Sequence, residues 1–190
     1  MHKTRVFFST TITIIIIILI SSCGKKTKSE QELFSLANST KDSAIIKNDT
    51  NLFNQSISYY QEIIDNYPAS DSVVQAYENI CEIYSRLNKF TQVIEYCKVL
   101  SEKFPDKKEG KKAAFTMGFV YENFLNDKDN ALTAYKSFVE KYSNDTDPDF
   151  QNLISNTKLI IEKFEKGLSD EEFLKIQIEK NTDTKKEKSK

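Results

Sequence analysis

The chain has no tryptophan, and its single histidine is His2, at the very start. A body without histidine excludes the Ser-His-Asp and Cys-His nucleophile pairs, a histidine general base and histidine-ligated zinc together. Carboxylate or lysine chemistry is not excluded by composition, but no spacing of acids supports it. The expectation is a protein that is not an enzyme, with no catalytic residue, metal, cofactor or small-molecule substrate. Glycine and proline are also scarce, at four and three residues. Turns must then come from Asn, Asp and Lys, which suits short helix–helix connections better than a sheet. No glycine-rich phosphate loop is present. The net charge of −1 gives no basic excess for nucleic acid. Cysteine is limited to Cys23, Cys81 and Cys97, with no CxxC and no four-ligand set. Cys81 and Cys97 are either a disulfide, in an oxidising compartment and with suitably close Cα atoms, or two small buried thiols.

The long apolar run lies at the N-terminus. Lys3 and Arg5 open it, and no acid precedes Glu30. As a helix, Val6–Ile20 spans about 22 Å, short of the roughly 30 Å of a bilayer core. Ser9, Thr10, Thr11 and Thr13 weaken it further as a membrane span. The length fits the apolar region of an export signal, residues 1–22. It closes on Ile20-Ser21-Ser22-Cys23, an aliphatic residue, two small ones and a cysteine, which resembles the lipobox of bacterial lipoproteins. That resemblance implies cleavage before Cys23, diacylglycerol on its thiol and an acyl group on the new amine, hence a membrane anchor through the Cys23 lipid. Gly24 in place of aspartate implies sorting to the outer membrane, most simply its periplasmic face. Residues 23–30 then read as a short polar tether. At the other end, 181–190 read as a Lys-rich disordered tail.

Between them the chain repeats itself. Tyr59–Pro68, Glu95–Pro105 and Ala134–Ser143 end alike, with a period of about 37–38 residues. That period means stacked helical hairpins, because one hairpin cannot bury its apolar face alone. Ile80, Cys81, Tyr84 and Leu87 recur as an amphipathic helix requires, and so do Phe150, Leu153, Ile154, Thr157, Ile161 and Phe164. Gly167 ends that second helix, and Ser169-Asp-Glu-Glu172 reads as a capping box for a last helix to about Ile178.

The middle unit resembles a tetratricopeptide repeat (TPR) almost position for position. Tyr77, Ile80, Cys81 and Tyr84 stand on its first helix, Asn88 and Phe90 at the turn, Val93, Cys97 and Leu100 on its second, and Pro105 closes it. The third unit follows with Ala114, Met117, Gly118 and Tyr121, then Ala131, Tyr135 and Phe138. Its turn, Asn126–Asn130, is one residue longer than the family norm. In the first unit Tyr60, Ile63 and Pro68 fit, Ser56 replaces the usual alanine, and the first helix, around Leu33–Ile46, reads as extended or irregular. The resemblance covers roughly Leu52–Glu172. It implies an all-α, TPR-type α–α superhelix of about three hairpins plus a C-terminal capping helix pair, filling a domain at 31–180.

The same resemblance implies that protein partners bind a concave groove lined by the first helix of each pair. By position, the groove takes Gln75, Glu78, Glu82 and Arg86 from the middle unit, and Lys112, Phe115, Phe119 and Glu122 from the third. Phe115 and Phe119 lie off the core stripe by about 120°. They either grip a partner with apolar and basic residues or pack against neighbouring helices. Asn144–Asp149 opens like a calcium loop but then fails, with Phe150 where glycine is required and Asn156 where glutamate is, so these acids are expected to start a helix. Among TPR lipoproteins, the BamD-like subunits of outer-membrane protein assembly are the similar kind. The alternative is a cell-wall or division-linked factor, like the periplasmic TPR partner of the Tol system.

Overall fold

The computed structural model describes residues 28–176 and 178. The signal (1–22), Cys23, the tether before Lys28 and the tail (181–190) lie outside the described residues. Within them run α1 (Glu30–Lys47), α2 (Thr50–Asn66), α3 (Ser72–Arg86), α4 (Phe90–Lys103), α5 (Lys108–Asn123), α6 (Lys128–Tyr142) and α7 (Pro148–Glu165). A last helical segment covers 170–176, and the described residues contain no strand. The helices pair as α1/α2, α3/α4 and α5/α6, and α7 with the last segment forms the expected capping pair.

Local chemistry explains each boundary. Ser29 caps α1 by accepting the Glu32 N–H, and Asp49 caps α2 through the N–H groups of Asn51 and Leu52. Asp127 does the same for α6. The acids of Asn144–Asp149 do start a helix: Asp147 caps α7, and Pro148 occupies its first turn. Where a first helix turns into a second, the chain passes through a left-handed residue at Asn48, Asn88, Asn126 and Gly167. At Asn48, Asn88 and Gly167 the closure is the same, with the next residue donating back to Ala44, Tyr84 and Lys163 respectively. The longer third turn instead closes from the Asp127 N–H to the Tyr121 carbonyl. The capping box at 169–172 is reciprocal: Glu172 donates its N–H to Ser169 Oγ, and its carboxylate accepts the Ser169 N–H at 2.9 Å.

One expectation is corrected. The segment around Leu33–Ile46 is not irregular; α1 is a regular helix of 18 residues. Its buried contacts are mostly small, Ala37 and Ala44 beside Leu33, so it carries no strong apolar stripe. Ser56 shows why an alanine position accepts serine there. Fully buried against α1, it donates its hydroxyl to the Ala37 carbonyl at 2.8 Å.

The helices form two layers. First helices are tied to one another by Lys41–Glu82 (α1 to α3) and Lys163–Glu122 (α5 to α7). Second helices are tied by Tyr96 donating to Gln61 and Lys141 donating to the Ser101 carbonyl. Between the layers lies the core: Leu33, Tyr60, Ile63, Ile80, Ile83 and Leu100 towards the N-terminal side, Phe138, Phe150 and Ile154 towards the other. Each such residue contributes roughly 1.5–3 kcal/mol when buried. Gly118 is required for this packing, because a Cβ there would stand 2.5 Å from the Tyr135 ring. Ala131 on α6 is likewise fully buried.

Candidate protein-binding groove

The first-helix layer carries all eight groove residues expected from sequence, and the structure divides them. Glu82 and Arg86 are already engaged. Glu82 forms ion pairs of 2.9 Å with both Lys41 and Arg86, and Lys41 also donates to Asn79. Burial pushes the Glu82 carboxyl up, but hydrogen bonds from Lys41 and Arg86 outweigh it and hold the group below the ordinary glutamate value. Glu122 is engaged in the same way. It accepts the Tyr135 hydroxyl at 2.8 Å and pairs with Lys163, which reaches on to Asp170. Glu82 and Glu122 hold first helices together and Arg86 braces Glu82 within α3, so a ligand would have to displace partners they already have.

Phe115 is half-buried and meets Phe138 edge-on at 5.7 Å and Tyr135 at 5.6 Å. Of the two roles open to it, packing is the one it plays here. Phe119 differs, with 43 % of its surface exposed. Its ring stands edge-on to Phe124 at 5.9 Å, and Phe124 stacks on Phe90 at 4.3 Å. Phe124 and its neighbour Leu125 are 49 % and 38 % exposed. A continuous aromatic surface therefore runs from the groove face of α5 onto the turn edge of the stack. Sequence reasoning missed Phe90, Phe124 and Leu125 as part of it. The available signal was an apolar pair immediately before Asn126, outside any core stripe.

The remaining candidates lie nearer the other end of the groove. Gln75 and Lys112 are exposed. Glu78 lines a cavity of about 190 Å³ among α3, α4 and α5, together with Cys81, Cys97, Glu109 and Lys112. Burial raises the Glu78 carboxyl above its ordinary value, Glu109 adds to this, and Lys112 partly opposes it. The groove can thus offer ring stacking and apolar contact at one end and carboxylates with a lysine at the other. Among the described residues no group of three or more His, Cys, Asp or Glu is placed to hold a metal ion.

A comparison with curated proteins finds none that matches the chain. The family model of the tetratricopeptide repeat matches residues 112–145. That stretch runs from Lys112 in α5 to Asp145 just past α6, and contains the Gly118–Tyr135 contact, Phe119 and Phe124. One hairpin of the stack is therefore matched to the tetratricopeptide repeat, and the all-helical stack around it has the TPR-type α–α superhelical fold.

Proposed function

We propose that this protein is a lipid-anchored scaffold of the cell envelope that binds another protein through its groove. The observation that carries the binding half is the contiguous exposed surface of Phe119, Phe124 and Leu125 on a TPR stack. Tetratricopeptide repeats generally mediate protein–protein contact, and exposed apolar groups that touch one another mark such surfaces better than isolated ones. Phe115, packed on Tyr135 and Phe138, stacks behind Phe119 at 6.5 Å, so a partner meets a preorganised face. The anchoring half rests on Leu19–Cys23, with Cys23 as the acylated residue. The finer role is assembly of outer-membrane proteins, in line with the BamD-like lipoproteins that the chain resembles.

The test is site-specific photo-cross-linking in cells from Gln75 and Lys112, the two exposed polar positions of the groove. The expected adduct is one discrete envelope protein, identified by mass spectrometry as a component of barrel assembly. Phe119→Glu with Phe124→Glu should weaken that capture by about tenfold or more, since buried interface aromatics are often worth about 2 kcal/mol. The far-UV circular dichroism of the variant should match the wild type. Undiminished capture by a folded double variant refutes the groove. Cys23→Ala should abolish fatty-acid labelling and release the protein from membranes; persistent labelling refutes the anchor.

A further inference from the structure

Cys81 in α3 and Cys97 in α4 face each other across the second hairpin, with their Sγ atoms 3.8 Å apart. Both are free thiols, Cys97 buried and Cys81 half-buried. A disulfide needs its sulfurs at about 2.05 Å, so the two side chains have less than about 2 Å to close. They already sit on facing helices of one hairpin whose turn is fixed at Asn88. Neither thiol is needed for the aromatic surface or for the ion pairs between first helices.

We propose that Cys81 and Cys97 are a disulfide-forming pair, oxidised by a disulfide donor as the second hairpin folds, so that a covalent staple joins α3 to α4. One cysteine thiolate attacks a sulfur of the donor, forming a mixed disulfide and expelling the first donor thiolate. The other cysteine thiolate attacks the mixed disulfide at the protein sulfur, forming the Cys81–Cys97 bond and expelling the second donor thiolate. Two cysteine protons are lost, and the two electrons reduce the donor to its thiol form.

The structure also sets the timing. The hydrogen bond shared with Cys97 holds the Cys81 thiol protonated, and burial adds to this, so Cys81 is pushed far above the ordinary thiol value. Cys97 is closed off from a bulky donor once the hairpin has packed, whereas both thiols are open to one in an unfolded chain. Oxidation belongs to folding, and the packing that follows shields the bond. The staple would underlie the cavity bordered by Glu78, Glu109 and Lys112, fixing the floor of the groove. Formation of the bond in cells depends on the export proposed above, because the cytoplasm keeps thiols reduced.

The test refolds the full chain, unfolded and reduced, in a buffer of oxidised and reduced glutathione. The expected product is a Cys81–Cys97 cross-linked peptide in the mass spectrum. Its melting temperature should lie roughly 6–12 °C above that of the reduced protein, from closure of a short loop in a chain of this size. Cys81→Ser refolded in the same buffer should show no such rise. Glutathione adducts on Cys81 or Cys97 in place of the cross-link overturn the pair, and a cross-link that leaves the melting temperature unchanged overturns the staple. The same peptide is then sought in protein acid-quenched from cells. A bond that forms on refolding but is missing there refutes export and leaves the pair standing.

Discussion

Gly118→Ala is the sharpest probe of how the hairpins are held together. The new Cβ would lie 2.5 and 2.6 Å from two carbons of the Tyr135 ring, against an ordinary contact of 3.4–4 Å. Either the ring or α5 must then retreat by about 1 Å. The ring is poorly placed to move. It is fully buried, its hydroxyl donates to Glu122 at 2.8 Å, and Phe115 stands 5.6 Å from it. Overpacking a rigid site costs about 1–3 kcal/mol, and the rigidity here argues for the upper end. Alanine returns about 1 kcal/mol as a better helix former than glycine. The net expectation is a loss of about 2 kcal/mol, or a melting temperature lower by roughly 4–8 °C. Urea denaturation followed by circular dichroism measures it. A Tyr135→Ala background supplies the control. With the ring gone, Gly118→Ala should become stabilising by about 1 kcal/mol, a coupling of about 3 kcal/mol between the two positions. An equal cost in both backgrounds, or a neutral Gly118→Ala in the wild type, would refute the close-approach argument.

Two further expectations concern charge and capping. Hydrogen bonds from the Lys111 ammonium and the Asp147 N–H hold Asp145 below the usual aspartate value. Its stabilising effect is therefore full above the unfolded value of about pH 4 and is lost as pH falls through the lower folded value. Asp145→Asn should flatten the acid limb of a plot of denaturation midpoint against pH, and superimposable limbs would contradict this. Ser169→Ala removes the hydroxyl of the reciprocal cap, at a cost of about 1 kcal/mol to the last segment. Amide hydrogen exchange should quicken at 170–176 while α3–α6 stay unchanged, and a change spread over the whole stack would contradict a local role.

How much of this was legible in the sequence depended on side-chain size and periodicity. The repeated ends at Pro68, Pro105 and Ser143 were enough for three hairpins, because each recurs with the same aromatic and aliphatic positions before it. Gly118, Ala131, Gly167 and the 169–172 capping box were readable for the same reason: each has one local physical purpose. The first helix was not, because α1 buries alanines where an apolar stripe would have announced it. The groove was legible only as a face. Position alone does not tell Phe115 from Phe119, because both lie off the core stripe and only the neighbouring Tyr135 and Phe138 decide which is covered. Nor does it show that Glu82 and Glu122 are already engaged, since their partners Lys41 and Lys163 lie about forty residues away, on other first helices.

The attachment of the N-terminal end has a mechanical consequence. The Lys28 carbonyl accepts the Tyr67 hydroxyl at 2.8 Å, so the chain enters α1 pinned to the far end of α2. Tension applied to the leading end along the axis of α1 would load that hydrogen bond first and then draw α1 lengthwise against α2. Sliding loads the contacts of Leu33, Ala37 and Ala44 together, whereas peeling would break them one at a time. A first hairpin loaded this way is built to bear pull at the end from which a tether would lead.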